Sequence, residues 1–109
     1  MSEPSLQSIF GANVTQTATT VTLTKADFSS TGFTPAAVNT AESILGAIVS
    51  YAQPSLTTAN QSNNVDQSVV ISDSNDTLVT RSSVQYRRKT KVIAFDKADN
   101  ASAFNPNDY

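Results

Sequence analysis

The chain contains no cysteine, no histidine and no tryptophan. Without cysteine there is no disulfide framework and no thiolate ligand for zinc. Without histidine there is no histidine-based catalytic triad, and the most common general base is missing. These absences disfavour the main classes of enzyme, so we expect a protein that is not an enzyme and that uses no cofactor or metal.

Charge is also scarce. Seven Lys and Arg stand against nine Asp and Glu, giving a net charge of −2, and charged residues make up 15% of the 109 residues, against about 25% in a typical domain. Their place is taken by 29 Ser and Thr and nine Asn. The length suits one domain. This composition favours a structural or binding protein with a polar surface.

Targeting signals are lacking as well. The first residues carry no basic segment followed by an apolar one, so we expect no secretory signal and synthesis in the cytoplasm. The most apolar stretch, residues 44–51, is short and is interrupted by Gly46 and Ser50. We therefore expect no membrane partner.

Helical periodicity is clearest in residues 34–52. Thr34 is a suitable N-cap, Pro35 suits the first helical position, and Pro54 follows the last periodic residue. The pattern predicts one amphipathic helix, with four residues of its apolar face in the core or in a dimer interface: Ile44, Leu45, Ile48 and Val49.

Strand patterns lie on both sides of this helix, in residues 15–25, 68–72, 77–82 and 84–95. Turn formers at residues 72–77 predict a β-hairpin at that point, and the polar residues 53–67 indicate a long surface loop. The predicted fold class is α+β, with one amphipathic helix packed on a small, mainly antiparallel sheet.

The two ends of the chain are predicted to be extended arms. Residues 1–13 form an arm that docks through Phe10 and its neighbours, or a short helical turn from Ser5. Residues 96–109 form a C-terminal arm carrying Phe104, and residues 14–95 form the single α+β domain. Because a domain of this size has a thin core, we expect a partner to complete it, most simply a second copy in a homodimer.

Six cations lie within residues 79–97, which carry a net charge of +5 while the rest of the chain carries −7. Period-two alternation places Arg87, Lys89 and Lys91 on one strand face. Such a row is either a solvated face that prevents edge pairing or a contact with an acidic protein surface. Nucleic acid is the least favoured partner, because the net charge is negative and no recognition motif is present.

Asp73 to Asp76 resembles the start of a calcium-binding loop. Leu78 stands where such a loop needs glycine, and Val84 where it needs the closing glutamate. An ordinary turn is the favoured interpretation.

Three segments resemble a known family. Residues 9–13, 23–27 and 33–45 are similar to small structural proteins of tailed phages, cyanobacterial phages in particular, and most of all to capsid cement (decoration) proteins. The resemblance implies a virion protein without catalytic residues, bound as a dimer or trimer to the outside of a shell of HK97-like major capsid protein.

The resulting hypothesis is a cement protein that contacts the major capsid protein through Arg87, Lys89 and Lys91, with Phe10 and Phe104 inserted into neighbouring subunits. The alternatives are a tail or head-completion component and a host-surface glycan-binding module. A glycan binder usually offers exposed aromatic rings, and this chain has no Trp and only three Tyr.

Overall fold

The structure, a computed structural model, describes residues 2–99 and 103–109. The predicted α+β class is confirmed. The helices are α1 (Leu6–Phe10), α2 (Ala41–Ala52) and α3 (Thr58–Ser62), with 3-10 segments at Lys25–Thr31, Gln53–Ser55 and Pro106–Asp108. The strands are β1 (Thr15–Gln16), β2 (Val21–Thr22), β3 (Val69–Asp73), β4 (Thr77–Arg81), β5 (Val84–Arg88) and β6 (Lys91–Phe95).

The last four strands form one long antiparallel hairpin, which we call the ribbon. Its base is β3 paired with β6, and its tip is β4 paired with β5. Asp73 lies opposite Lys91, whereas the next pair is Thr77 with Arg88. Three residues on one side therefore face two on the other, which is a one-residue bulge. The prediction of a single strand over residues 84–95 is wrong because this bulge divides it.

The turn of the hairpin is at Ser82 and Ser83, which have φ angles of 49° and 65°. Positive φ at both central residues is typical of the type I′ turn, which matches strand twist but favours Asn and Gly. The predicted turn at residues 72–77 is wrong, because that segment continues into β4. A Ser-Ser pair is not a strong turn former, so the sequence pattern predicted the turn at residues 72–77, where turn-forming residues are more numerous.

Helix α2 begins at Ala41, six residues after the predicted start at Pro35. Asn39 folds back, accepting a hydrogen bond from Ala36 N at 3.0 Å and donating one to Thr34 O at 3.1 Å. This local loop competes with a helical turn. Thr40 is the true N-cap, with its hydroxyl accepting from Ser43 N at 3.1 Å.

Residues 15–25 do not form the single strand that was predicted. They make β1, a tight turn and β2, because the Thr17 hydroxyl accepts from Thr20 N at 3.1 Å and reverses the chain. Both short strands are exposed. The 3-10 segment Lys25–Thr31 follows and buries Phe28 against α2.

The core lies where α2 meets the ribbon base and the N-terminal helix. Ala52, Leu56 and Ile71 form its buried cluster, with Ile9, Val49 and Val69 packed against it. On the other side of α2, Phe28 meets Tyr51 edge to face at 5.3 Å. Among the described residues few large side chains are fully enclosed, so the core is thin.

The predicted N-terminal arm lies against its own domain. It contains α1, capped by Ser5, whose hydroxyl accepts from Ser8 N at 3.1 Å, as in the helical-turn interpretation. Gly11 has a φ of 105°, and a Cβ there would lie 2.8 Å from Asp27 Cβ. The Asp27 carboxylate accepts two hydrogen bonds from Asn13, one from the backbone N at 2.8 Å and one from the side-chain Nδ2 at 2.7 Å. A glycine is therefore required where the arm passes Asp27.

The ribbon tip projects from this body. The longest axis of the molecule is 47 Å. The Cα radius of gyration is 16.2 Å, whereas a compact domain of this length has a radius of gyration of about 13 Å. Every side chain of β4 and β5 is exposed except that of Val79, which is half-buried. The base is held to the folded body through β3, whose Ile71 is buried, whereas β6 is as exposed as the strands of the tip.

Exposure predicts opposite outcomes for two truncations. Ile71 is only 6% exposed, so Ile71→Ala should lower the free energy of unfolding by about 2–5 kcal/mol. Leu45 is 63% exposed, which excludes it from the core of this chain, and Leu45→Ala should cost less than about 1 kcal/mol. Urea denaturation of dilute protein measures both, and equal losses would contradict this placement of the core.

The strained turn predicts a stabilising substitution. Ser82→Asn with Ser83→Gly should stabilise the tip by about 0.5–1 kcal/mol. Trypsin cleavage at the arginines of the tip should then slow, because proteolysis follows the population of the open hairpin. Ser72→Gly, in β3 where φ is not positive, is the control and should give no protection. Faster cleavage of the turn variant would contradict the assigned turn.

Candidate functional site

The ribbon tip carries a concentration of positive charge. Arg81, Arg87 and Arg88 lie within residues 77–88, which contain no acidic residue. The guanidinium carbon of Arg81 lies 4.3 Å from the centroid of the Tyr86 ring, a cation–π contact. Within residues 2–99 and 103–109, neither Arg87 nor Arg88 takes part in an ion pair. These two guanidinium groups are thus exposed and open to an acidic partner.

The other two cations of the predicted row lie at the bulge. Lys89 Nζ lies 3.2 Å from Asp76 Oδ2, and Lys91 Nζ lies 2.8 Å from Asp73 Oδ1. Lys91 also donates to Gln53 Oε1 at 2.6 Å, which links the ribbon to the end of α2. The extra residue of the bulge lies among residues 74–76 of the opposite strand, so the predicted period-two row of Arg87, Lys89 and Lys91 is kept, and two of its three cations are engaged by aspartates. The aspartates that suggested a calcium loop serve instead as partners of these lysines.

The ion pair at the bulge changes the acidity of Asp73. The hydrogen bond from Lys91, and next the one from Gln53, hold the pKa of Asp73 below its ordinary value of 3.8. Both contacts favour the charged carboxylate over the neutral acid. The folded chain therefore favours the ionised form of Asp73.

An apolar groove lies at the foot of the ribbon, with a cavity volume of about 630 Å³. Its floor is α2 and the ribbon base, and its walls are α1 and the C-terminal segment. The apolar residues that line it include Leu6, Ile9, Phe10, Ile48, Val49, Ile71, Ile93 and Phe95. The volume lies within the range of about 300–1,000 Å³ that is usual for ligand sites.

Several predicted contact residues line or border this groove. Ile48, Val49 and Phe10 line it and are half-buried, and Ile44 is also half-buried, farther along α2. The sequence therefore identified the apolar face of α2 without showing that α1 lies over part of it. Leu45 points away from the core and, like the others, stays a predicted interface residue.

The C-terminal segment closes one end of the groove with an aromatic cluster. Phe95 lies 5.2 Å from Phe104 and 5.3 Å from Tyr109, and the Phe104 and Tyr109 rings stack at 5.5 Å. Lys97 Nζ, 2.7 Å from Asp108 Oδ2, fixes the same segment. Phe104 remains 61% exposed. In the sequence, this cluster was indicated only by two aromatic residues, Phe104 and Tyr109, in an otherwise polar C-terminal segment.

In the part of the chain that the structure describes, no three acidic side chains come together as metal ligands would. None of the described helices combines the length and apolar character that crossing a bilayer requires. No protein-family model, curated protein or solved structure matches this chain.

The Asp73–Lys91 pair generates a pH prediction. Because folding lowers the pKa of Asp73, its contribution to stability is full above the ordinary value and is lost as the pH falls through the lower, folded-state value. In an NMR titration, the Asp73 carboxyl should have a midpoint below 3.8, and Lys91→Gln should move that midpoint upward.

Lys25→Gln is the matched control, because Lys25 donates to Ala36 O in another part of the fold. It should leave the Asp73 midpoint in place. An ordinary midpoint in the unsubstituted protein would show that the ion pair does not form in solution.

Proposed function

We propose that this protein is a non-enzymatic virion structural protein, a capsid cement (decoration) protein that binds the outer face of an HK97-like phage shell. The observation that carries the proposal is the projecting ribbon tip, residues 77–88, which presents Arg81, Arg87 and Arg88 to solvent and contains no acidic residue. A cationic extension of this kind suits contact with an acidic protein surface. The sequence resemblance to cement proteins supplies the identity of that surface, the major capsid protein.

The geometry changes which residues we assign to the contact. Lys89 and Lys91 are each paired with an aspartate, so Arg87 and Arg88, which project from opposite faces of β5, take the leading role on the ribbon. Phe104 is exposed beside the groove and suits insertion into a neighbouring subunit. Phe10 is half-buried in the groove wall, so it supports the contact from beneath.

Charge and apolar contacts have different roles in this proposal. Exposed ion pairs contribute about 0–1 kcal/mol each, so the arginines accelerate and orient binding. The apolar groove and Phe104 prolong the bound state. Many copies on one shell then add weak contacts into a stable particle.

The position in the particle is the first test. Particles of the phage that carries this gene should contain the protein at hundreds of copies, and a particle map should show it outside the shell. A few copies at one vertex would instead favour the tail or head-completion alternative. Absence from particles, with binding to host polysaccharide, would favour the glycan-binding alternative and overturn the proposal.

The contact itself predicts a variant phenotype. Arg87→Ser with Arg88→Ser should slow binding to bare shells at low salt by on the order of tenfold and remove most of its salt dependence. Ala18→Glu with Thr19→Glu lowers the net charge equally, on the separate β1–β2 turn, and should bind nearly as the unsubstituted protein does. Equal behaviour of the two variants would contradict a specific role of the ribbon.

A further inference from the structure

One edge of the ribbon tip has unused backbone hydrogen-bonding groups. The two-residue turn makes Arg81 and Val84 a hydrogen-bonded pair, and such pairs alternate with non-bonded ones along antiparallel strands. The N–H and C=O groups of Leu78 and Thr80 therefore point away from β5. In the described ranges, no other backbone group bonds to either of them.

The same side of the ribbon is closed at its base. Ile71 N, on the outer edge of β3, donates to Leu56 O at 2.9 Å. The chain that follows α2 thus covers the β3 edge, whereas β4 extends beyond it. The open edge is confined to the tip.

The two edges of the tip differ in charge. β5 ends in Arg87 and Arg88, and cations on an edge strand oppose pairing with another strand. β4 is uncharged from Thr77 to Thr80, contains no proline and has β-branched side chains that suit a sheet. The sequence protects the β5 edge and leaves the β4 edge open.

The charges that flank β4 are complementary to those of an antiparallel copy of β4. Asp76, whose Oδ2 also lies 3.2 Å from Lys89 Nζ, precedes the strand, and Arg81 ends it. When two copies lie antiparallel, the basic end of each strand meets the acidic end of the other. A parallel arrangement would instead bring like charges together.

We propose that β4 pairs with β4 of a second copy across a two-fold axis, which joins two ribbon tips into one four-stranded antiparallel sheet. A two-fold axis perpendicular to a sheet requires one residue to lie opposite itself. With Val79 in that position, Leu78 of each copy exchanges backbone hydrogen bonds with Thr80 of the other. Arg81 then lies opposite Thr77 and next to Asp76 of the second copy.

This register also joins the apolar side chains of the tip. Val79 lies opposite Tyr86 in its own hairpin, so the two side chains share a face. Pairing places a row of Tyr86, Val79, Val79 and Tyr86 across the new sheet. A two-stranded ribbon alone is marginally stable in water, and further strands stabilise it. The pairing is independent of the proposed capsid contact and can be tested without a capsid.

A proline substitution on each edge of the tip distinguishes pairing through β4 from pairing through β5. Thr80→Pro removes an outward N–H from β4 without removing a bond inside the hairpin, and Gln85→Pro, at the opposite position in β5, does the same to the other edge. Sedimentation equilibrium should show a concentration-dependent dimer for the unsubstituted protein and for Gln85→Pro. Thr80→Pro should weaken the dimer at least tenfold.

A charge exchange tests the antiparallel arrangement. Arg81→Asp alone and Asp76→Arg alone each bring like charges together and should weaken self-association. An equal mixture of the two variants should form a heterodimer, because each acidic end then meets a basic end. Failure of the mixture to associate would contradict the antiparallel pairing.

Three other results would overturn the proposal. The unsubstituted protein could remain monomeric at millimolar concentration, the two proline variants could weaken the dimer equally, or Gln85→Pro alone could abolish it. The last result would place the interface on the β5 edge. NMR spectra of each variant, checked for the Ser82–Ser83 turn, show whether the hairpin itself has survived the substitution.

Discussion

The packing of Ile71 against the end of α2 is the contact on which the rest of the structure depends. Its side chain lies among Ala52 and Leu56, and its N–H bonds to Leu56 O at 2.9 Å. One strand is thereby joined to the helix by both apolar and polar contacts. This junction fixes the direction of the ribbon, forms the floor of the apolar groove and leaves the tip beyond the body.

In the proposed function, this arrangement separates folding from recognition. Among the residues that the structure describes, few apolar side chains are buried, and all of these lie in the body. The tip has exposed arginines on both strands, two on β5 and one at the end of β4, and these side chains contribute little to the core. Because the tip is not needed to complete the body, its sequence is free to meet the demands of binding. We infer that the function of the protein resides mainly in the ribbon and in the groove at its foot.

Sequence patterns predicted the parts of the fold that depend on local apolar spacing. The apolar repeat of α2 and the strand patterns at Val69–Asp73 and Thr77–Arg81 correspond to real elements. The start of α2 was predicted too early because the Asn39 side chain forms hydrogen bonds with Ala36 N and Thr34 O, which compete with the helical turn that Pro35 would begin.

The hairpin turn was missed because Ser82 and Ser83 adopt positive φ without the usual Asn or Gly. The Asp73–Lys91 ion pair depends on the register of β3 with β6, which only the paired strands reveal. The central claim, that the base is part of the cooperative fold and the tip is not, is tested most directly by amide hydrogen exchange on dilute protein. The amide of Ile71, bonded to Leu56 O, and those of the bonded pair Val70 and Ala94 should exchange only through global unfolding, and the amides bonded within β4 and β5 through a local opening of lower free energy. Equal protection in both halves of the ribbon would contradict it.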